Sequence, residues 1–516
     1  MTMMPSRTSL IGISLSAAAL TAMLAACTVG PDFVRPKPQT PAHWSARATA
    51  APTMPDAGSS ATNGIPAQPG PVTEQAADLR DWWSALGDPL LTSLIERSMS
   101  SNLDVRTAML RIDEARAQRS IAAAAYWPTM SLDASYTRQR ISETTPTGAL
   151  FNSVGNLHLP GGAGLSIPNP YGQFQLSADA SWEIDLFGRI RRSVEAADAN
   201  VQVSTEDQHA VLLSVLGDVA QSYVDLRGAQ TRLRVAKANL ATVEELLDLT
   251  RQRRAAGLTT HIDVSNAVAQ AAIIHAELPA FEVQITQSVN QLSQLMGREP
   301  EALRAELDGA VPVPTAPREV AIGLPAELAR RRPDIREAEA NLHAATAQIG
   351  VAVANLFPRL TLGADGGFQS ETAGKLLDWA SRFGSLGPSL DLPIFDRGRW
   401  KTVRLYDIRA QEAALAYQSA VLNALHEVEN ALAAYCGDQQ RRAWLEATVA
   451  QNRDALELSK QRYASGVVTF IDVLDAERTF QQNELILADG NTVVTTDLVR
   501  LYRALGGGWQ HLGPNE

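Results

Sequence analysis

The sequence predicts a mainly α-helical chain that also carries four membrane β-strands, built as two copies of one unit. Three observations predict it. First, the 516-residue chain repeats itself: NLDVRTAMLRIDEARAQ from Asn102 matches PDIREAEANLHAATAQ from Pro333, and Gly257 and Gly297 correspond to Gly466 and Gly506. Long self-similarity with few gaps marks a duplicated structural unit. Second, short runs of apolar–polar alternation occupy matching places in the two copies. Third, proline-free stretches with apolar residues three and four apart follow each pair of runs. The copies are placed at 81–299 and 324–508, with a linker at 300–323 and a tail at 509–516.

Before the first copy, the run Leu10 to Ala26 is apolar and follows Arg7. It reads as a secretory signal peptide, 1–26, and not as a membrane helix. The run ends LAAC. Small residues followed at once by Cys27 form a bacterial lipobox, which predicts cleavage before Cys27 and lipid on its thiol and amine; a plain signal peptide with a chance cysteine is the alternative. More than one acyl chain gives stable anchoring. Thr28 in place of an aspartate after the cysteine favours the outer membrane. Residues 27–80 are broken by prolines from Pro31 to Pro71 and read as a lipid anchor and tether. Cys436 is the only other cysteine, so no disulfide is expected.

Strands are expected at about 128–140 and 171–186, and again at about 358–369 and 385–395. Met130, Leu132, Ala134 and Tyr136 alternate with polar residues, as do Phe174 through Leu186 in the next run. Leu360, Leu362, Ala364 and Phe368, then Leu390, Leu392 and Ile394, repeat the pattern. The lengths suit tilted membrane strands of about 9–11 residues. Tyr126, Trp127, Tyr171 and Phe357 lie near the ends, where interfacial aromatics belong. A half-buried sheet in a soluble domain gives the same alternation.

Between Phe187 and Gly257 there is no proline, and Leu212, Leu216, Val219, Tyr223, Leu226 and Ala229 continue a coiled-coil seam. Such a rod is roughly 100 Å long. Phe395 to Gly466 repeats the design, and shorter return helices are expected at about 260–297 and 469–505. Four strands cannot close a barrel, and an open edge in lipid leaves backbone groups unpaired. The chain is therefore expected to oligomerise. Two copies would give eight strands and a filled interior; three would give twelve and some lumen.

At this point the sequence resembles a known family. VGPDF at Val29, WWSALGDPLLTSLIERS at Trp82, LRIDEARAQ at Leu110, WEIDLFGR at Trp182 and RRPDIREAEANLHAATAQIGVAVANLFPRL at Arg331 are similar to TolC-like outer-membrane efflux channels of the lipoprotein branch. The resemblance implies a homotrimer with a 12-stranded β-barrel in the outer-membrane lipid and a 12-helix periplasmic α-barrel. It also implies a periplasmic adaptor (membrane fusion protein) and an inner-membrane transporter of the resistance-nodulation-division type as partners. An exit duct of a type I protein secretion system has the same fold and is the alternative; the lipobox and the Arg331 signature favour small-molecule efflux.

The rods end at Gly257 and Gly466, where glycine accepts the left-handed conformation just past a helix. Thr260 with Asp263, and Thr469 with Asp472, then read as capping boxes with aspartate in the glutamate position. Helix punctuation is one reading of both pairs. Asp475 is different, because capping does not require it and Asn266 stands in its place in the first copy. By resemblance, Ile471, Asp472 and Asp475 occupy the periplasmic constriction, Tyr463 and Asp263 occupy positions of pairs that hold it shut, and an adaptor docks on the Gly257, Thr260, Gly466 and Thr469 turns. Val468 departs from the family pattern, in which a basic residue can lock the aperture. Arg251, Arg253 and Arg254 read as solvated residues or as substitute partners.

Other function classes find no support. A net charge of −11 recruits no nucleic acid. The eight histidines do not recur at metal-ligand spacing, and no P-loop, nucleophile elbow or dinucleotide fingerprint is present. Neither enzyme activity nor a cofactor is expected.

Overall fold

The structure is a computed structural model that describes residues 28–38, 40–45, 72–76, 78–149, 169–309, 311–317 and 319–512. The expected signal peptide, Cys27 and most of the tether lie outside the described residues. The chain divides into two compact units. One holds Ala115–Asn200 and Leu342–Glu412 with the N-terminal residues up to Val34; the other holds Arg35–Glu114, Val201–Asn341 and Ala413–Glu516.

The first unit is organised by a four-stranded antiparallel sheet of β2 (Thr129–Gln139), β3 (Tyr171–Ile184), β5 (Arg359–Ser370) and β6 (Arg382–Asp391), in that order. The register sorts the side chains onto two faces, because successive residues point to opposite sides. One row runs Leu132–Ala178–Gly366–Gly384 and the next Ala134–Leu176–Phe368–Arg382. That face also carries Met130, Ala180, Ala364 and Leu386 and is apolar. The other face carries the row Ser131–Asp179–Asp365–Ser385, in which the Ser385 hydroxyl donates to Asp365. The last strand begins at Arg382 and ends at Asp391, short of the expected 395. Pro393 has no N–H for the ladder, and Asp391 already pairs with Arg359 at the end of β5. Pro388 is tolerated within β6 because this is an edge strand. The other edge, β2, is exposed along its whole length.

At the inner end of the sheet the strands hand over to helices. Glu183 accepts from Arg189 at 2.7 and 2.8 Å and pairs with Arg359 at 3.5 Å. Phe187 stacks on Phe357, with centroids 4.8 Å apart. The first residues of the tether are held here: Val29 N–H donates to the Phe187 carbonyl at 3.2 Å, Arg192 pairs with Asp32 at 2.5 Å, and Phe33 stacks on His343 at 4.4 Å.

The helices come in matched pairs. After α1 (Pro89–Ser101), α2 (Leu103–Ala124) corresponds to α5 (Pro333–Ala354). The long α3 (Arg189–Ala255, 67 residues) corresponds to α6 (Arg397–Ala464, 68 residues), and the return helix α4 (His261–Leu295) to α7 (Phe470–Ala504). The seam expected on α3 is buried at Leu212, Leu216, Val219, Tyr223, Leu226 and Ala229. On α6 the buried positions Tyr435, Val449, Leu456 and Tyr463 are whole heptads apart. Among the described residues no helix is long and apolar enough to cross a membrane.

The second unit's core also gathers Trp82, Trp83, Leu91, Leu94 and Leu292, and a two-stranded parallel sheet joins β1 (Val72–Thr73) to β4 (Val320–Ala321). Arg227 is the most deeply buried of its charged residues among those described. Arg227 is fully buried, sits over the Tyr223 ring at 4.8 Å, and donates to the Gly309 and Leu307 carbonyls at 2.6 and 3.2 Å. Tyr223 in turn donates to the Asp88 carboxylate at 2.6 Å.

Candidate functional site

The candidate site is the pair of turns that join the long rods to their return helices. Gly257 and Gly466 have φ of +74° and +75°, a left-handed conformation that L side chains rarely adopt. Each closes its rod with the same two bonds. Gly257 N–H donates to Arg254 O at 2.9 Å and Leu258 N–H to Arg253 O at 2.8 Å; Gly466 N–H donates to Tyr463 O at 3.0 Å and Val467 N–H to Arg462 O at 2.9 Å. This is the Schellman pattern, which satisfies carbonyls a helix end leaves open.

The return helices restart with capping boxes. Asp263 accepts from Thr260 N–H at 3.0 Å, Thr260 Oγ1 at 2.7 Å and Thr259 Oγ1 at 2.6 Å. Asp472 accepts from Thr469 N–H at 2.8 Å and Oγ1 at 2.6 Å. The Thr469 hydroxyl, with its N–H second, holds the exposed Asp472 carboxyl below the ordinary 3.8. At Asp263 partial burial pushes upward, and the bonds from Thr259 and Thr260 outweigh it. A depressed folded-state value contributes stability that is present above the ordinary pKa and lost as pH falls through the folded value. The two turns are therefore expected to fray only below about pH 3.8. Thr260→Ala and Thr469→Ala should each cost the local helix start about 1 kcal/mol. Amide exchange at the first turns of α4 and α7, followed against pH in both variants, checks this.

The structure gives the other site residues different surroundings. Asp475 and Ile471 are exposed, Ile471 at 52%. Tyr463 is buried in an apolar cluster with Leu246, Leu247, Val264, Phe470 and Val473. Asp263 belongs to its own cap and makes no bond to Tyr463 among the described residues. Arg253 instead lies over the Tyr463 ring at 4.3 Å and donates to the Tyr463 and Ala464 carbonyls at 3.3 and 3.4 Å. A cation thus caps the end of α6 from the other copy, on the side where Val468 offers none. Arg251 pairs with Asp248 at 3.1 Å and Arg254 bonds to His261 at 3.1 Å.

Two further sets of residues belong here and escaped sequence reasoning. Leu258 and Val467, one residue past each glycine, are 74% and 72% exposed, and Ile262 is the exposed counterpart of Ile471. Their equal offsets from the glycines were the available signal. The second set is a polar band between the tip cluster and a separate apolar cluster of Ala236, Leu240, Val243, Ala271 and Ile274. Arg478 donates to Gln270 at 2.7 Å, Gln270 to Gln481 at 3.2 Å, and Gln481 to Glu477 at 2.8 Å. Gln270, Gln481 and Glu477 are all buried, and Lys460 approaches Glu477 at 3.4 Å. A buried polar layer in a helical seam fixes register at a cost in stability.

The sequence matches a family model described as outer membrane efflux protein over residues 94–298 and 324–507. The two matched stretches leave residues 299–323 unmatched between them. The chain is 33% identical over 506 residues to Outer membrane protein OprJ of Pseudomonas aeruginosa, covering 96% of each. It is 32% identical over 476 residues to Nodulation protein T of Rhizobium leguminosarum bv. trifolii, covering 90% of this chain and 91% of that protein. Among solved structures it is similar to the outer-membrane channel OprN, with a TM-score of 0.80 and 32% identity over 94% of this chain and 100% of that one.

Proposed function

The chain belongs to the outer membrane efflux protein family, and from that premise we propose that it is the outer-membrane exit channel of a tripartite efflux system of the resistance-nodulation-division type, passing small molecules to the exterior. The observation that carries this reading is the four-stranded sheet, apolar on one face and polar on the other, with both edges open. In lipid such edges must be paired, and β6 of one copy meets β2 of the next antiparallel. Three copies then close a twelve-stranded barrel with the Asp179 and Asp365 face toward a lumen. Lipid on Cys27 adds an anchor on the periplasmic side, since Val29, two residues further on, bonds the Phe187 carbonyl at the inner end of the sheet.

The helix ends supply the gate. At rest the α7 starts converge, so that Ile471, Asp472 and Asp475 from each copy narrow the pore. The capped turns at Gly257 with Thr260 and Gly466 with Thr469, with exposed Leu258 and Val467 beside them, offer the periplasmic adaptor an apolar foothold. Opening releases Arg253 from Tyr463. The transporter in the inner membrane supplies the energy, and the channel itself supplies a path.

Complementation tests the reading. In a strain lacking the gene, the wild-type chain should restore resistance to pump substrates. Leu362→Arg puts a charge on the apolar face of a central strand, which costs about 2–4 kcal/mol near the bilayer midplane. It should fail to assemble and to restore resistance, whereas Thr361→Arg on the lumen face should do both. Equal behaviour of the two variants would contradict a membrane barrel.

A further inference from the structure

The apolar face of the sheet carries only two charged residues in all four strands. Its positions run Met130 to Arg138 on β2, Gly172 to Ile184 on β3, Leu360 to Ser370 on β5, and Arg382 to Leu390 on β6, taking alternate residues in each. Both charges are arginines, Arg138 and Arg382. Arg382 opens β6 and Arg138 is the penultimate residue of β2. Both therefore lie at the end of the sheet away from the helices. They also lie on the two edge strands. At the helix-proximal end the same face shows Met130, Ile184, Leu360 and Leu390, with no charge.

That asymmetry carries information. An arginine needed only as an interfacial anchor serves equally at either end of a strand. Two arginines confined to the outer end match headgroups that are anionic on that side. Each is exposed, and Arg138 makes no hydrogen bond or ion pair with a described residue. Arg382 lies over the Trp379 ring at 4.3 Å and gives one N–H to the Trp379 carbonyl at 2.8 Å. The stacking orients its guanidinium plane, and the remaining donors stay available for a bidentate partner. Trp379 and Leu377 are 74% and 71% exposed beside it, an apolar surface suited to acyl chains. Glu371 and Lys375, and Asp378 with Arg382, leave the β5–β6 connection balanced in charge, so the excess comes from Arg138.

We propose that Arg138 and Arg382 form, at each junction between adjacent copies, a binding site for the phosphates of a phosphorylated glucosamine lipid of the outer leaflet. The site rests on the trimeric barrel reading, because only pairing of β6 with the neighbouring β2 puts the two arginines on adjacent strands. The planar fork of arginine matches phosphate oxygens, and the low-dielectric rim strengthens the contact. Trp379 and Leu377 pack against the acyl chains beneath.

Native mass spectrometry of the purified trimer, titrated with bisphosphorylated lipid A, tests the site. Parallel arms use the dephosphorylated lipid and cardiolipin. The expected result is saturation at one bisphosphorylated lipid per junction, with both other lipids retained poorly. In Arg138→Gln/Arg382→Gln retention should fall roughly thirtyfold, from the usual contribution of a surface arginine to an anionic lipid. Equal retention of the dephosphorylated form or of cardiolipin, or an unaffected double variant, overturns the proposal while the trimer and its conductance stand. A protein that remains monomeric overturns the assembly itself.

Discussion

Alanine at both Asp472 and Asp475 is expected to reduce the cation preference of single channels about tenfold and to raise resting conductance. In a three-fold assembly the two aspartates supply six carboxylates around the narrow end. Six carboxylates ringing an axial cation attract it, and physiological salt weakens that attraction without abolishing it. What remains is expected to enrich cations about tenfold. The two residues are separable. Asp472 also caps α7 through Thr469, so its loss loosens the turn as well as removing charge. Asp475 is exposed and takes no part in the cap, and its backbone carbonyl merely accepts from Thr479 at 2.8 Å. Asp475→Ala alone should therefore cut cation preference about threefold, half of the free energy of the six-charge ring, with amide exchange at the turn unchanged. Asp263→Ala should do the reverse. Planar-bilayer reversal potentials in a salt gradient check both, and an unchanged reversal potential in the double variant removes these residues from the gate.

Arg227→Ala is expected to destabilise the helical unit by about 2–5 kcal/mol, the cost of truncating a large, fully buried side chain. The guanidinium is fully buried and bonds the carbonyls of Leu307 and Gly309. Gln230 also serves Leu307, at 2.8 Å, so the acceptors that lose their donor are the Gly309 carbonyl and Gln230 Oε1, which Arg227 reaches at 2.7 Å. Arg227→Met fills the same space and should recover part of the loss, the remainder being the lost hydrogen bonds at about 1–3 kcal/mol. Denaturant midpoints of the three proteins, with equal slopes, give the comparison. A loss in Arg227→Ala no larger than that of an exposed arginine such as Arg234 contradicts the network's role.

Most of the architecture was legible because it is written in periods. Alternation by twos gave the faces of β2, β3 and β5, and the heptad seam gave α3 and α6. A glycine followed by Thr-x-x-Asp is punctuation that a short window contains in full. What failed to show had partners far away in sequence. Arg253 lies 210 residues from Tyr463, and no local pattern pairs them. Gln270 and Gln481 fall on the seam itself, among Ala267, Ala271 and Leu474, where a polar residue interrupts the apolar pattern without showing which partner answers it. Arg227 is hidden for the same reason, as one polar position inside a seam. The β6 boundary slipped because apolar Leu392 and Ile394 continue the alternation past Pro393, where the hydrogen-bond ladder stops.

The polar band of Gln270, Gln481 and Glu477 has a consequence for how such a channel diverges over generations. It divides the tip cluster around Tyr463 from the apolar cluster above it, so the tip is a small cooperative region of its own. If the tips form the proposed gate, substitutions there change how readily it opens while the folding free energy of the rods is kept. On that reading, duplicated genes could acquire new docking partners and new leak rates by drift within a few dozen residues, leaving the rest of the fold untouched.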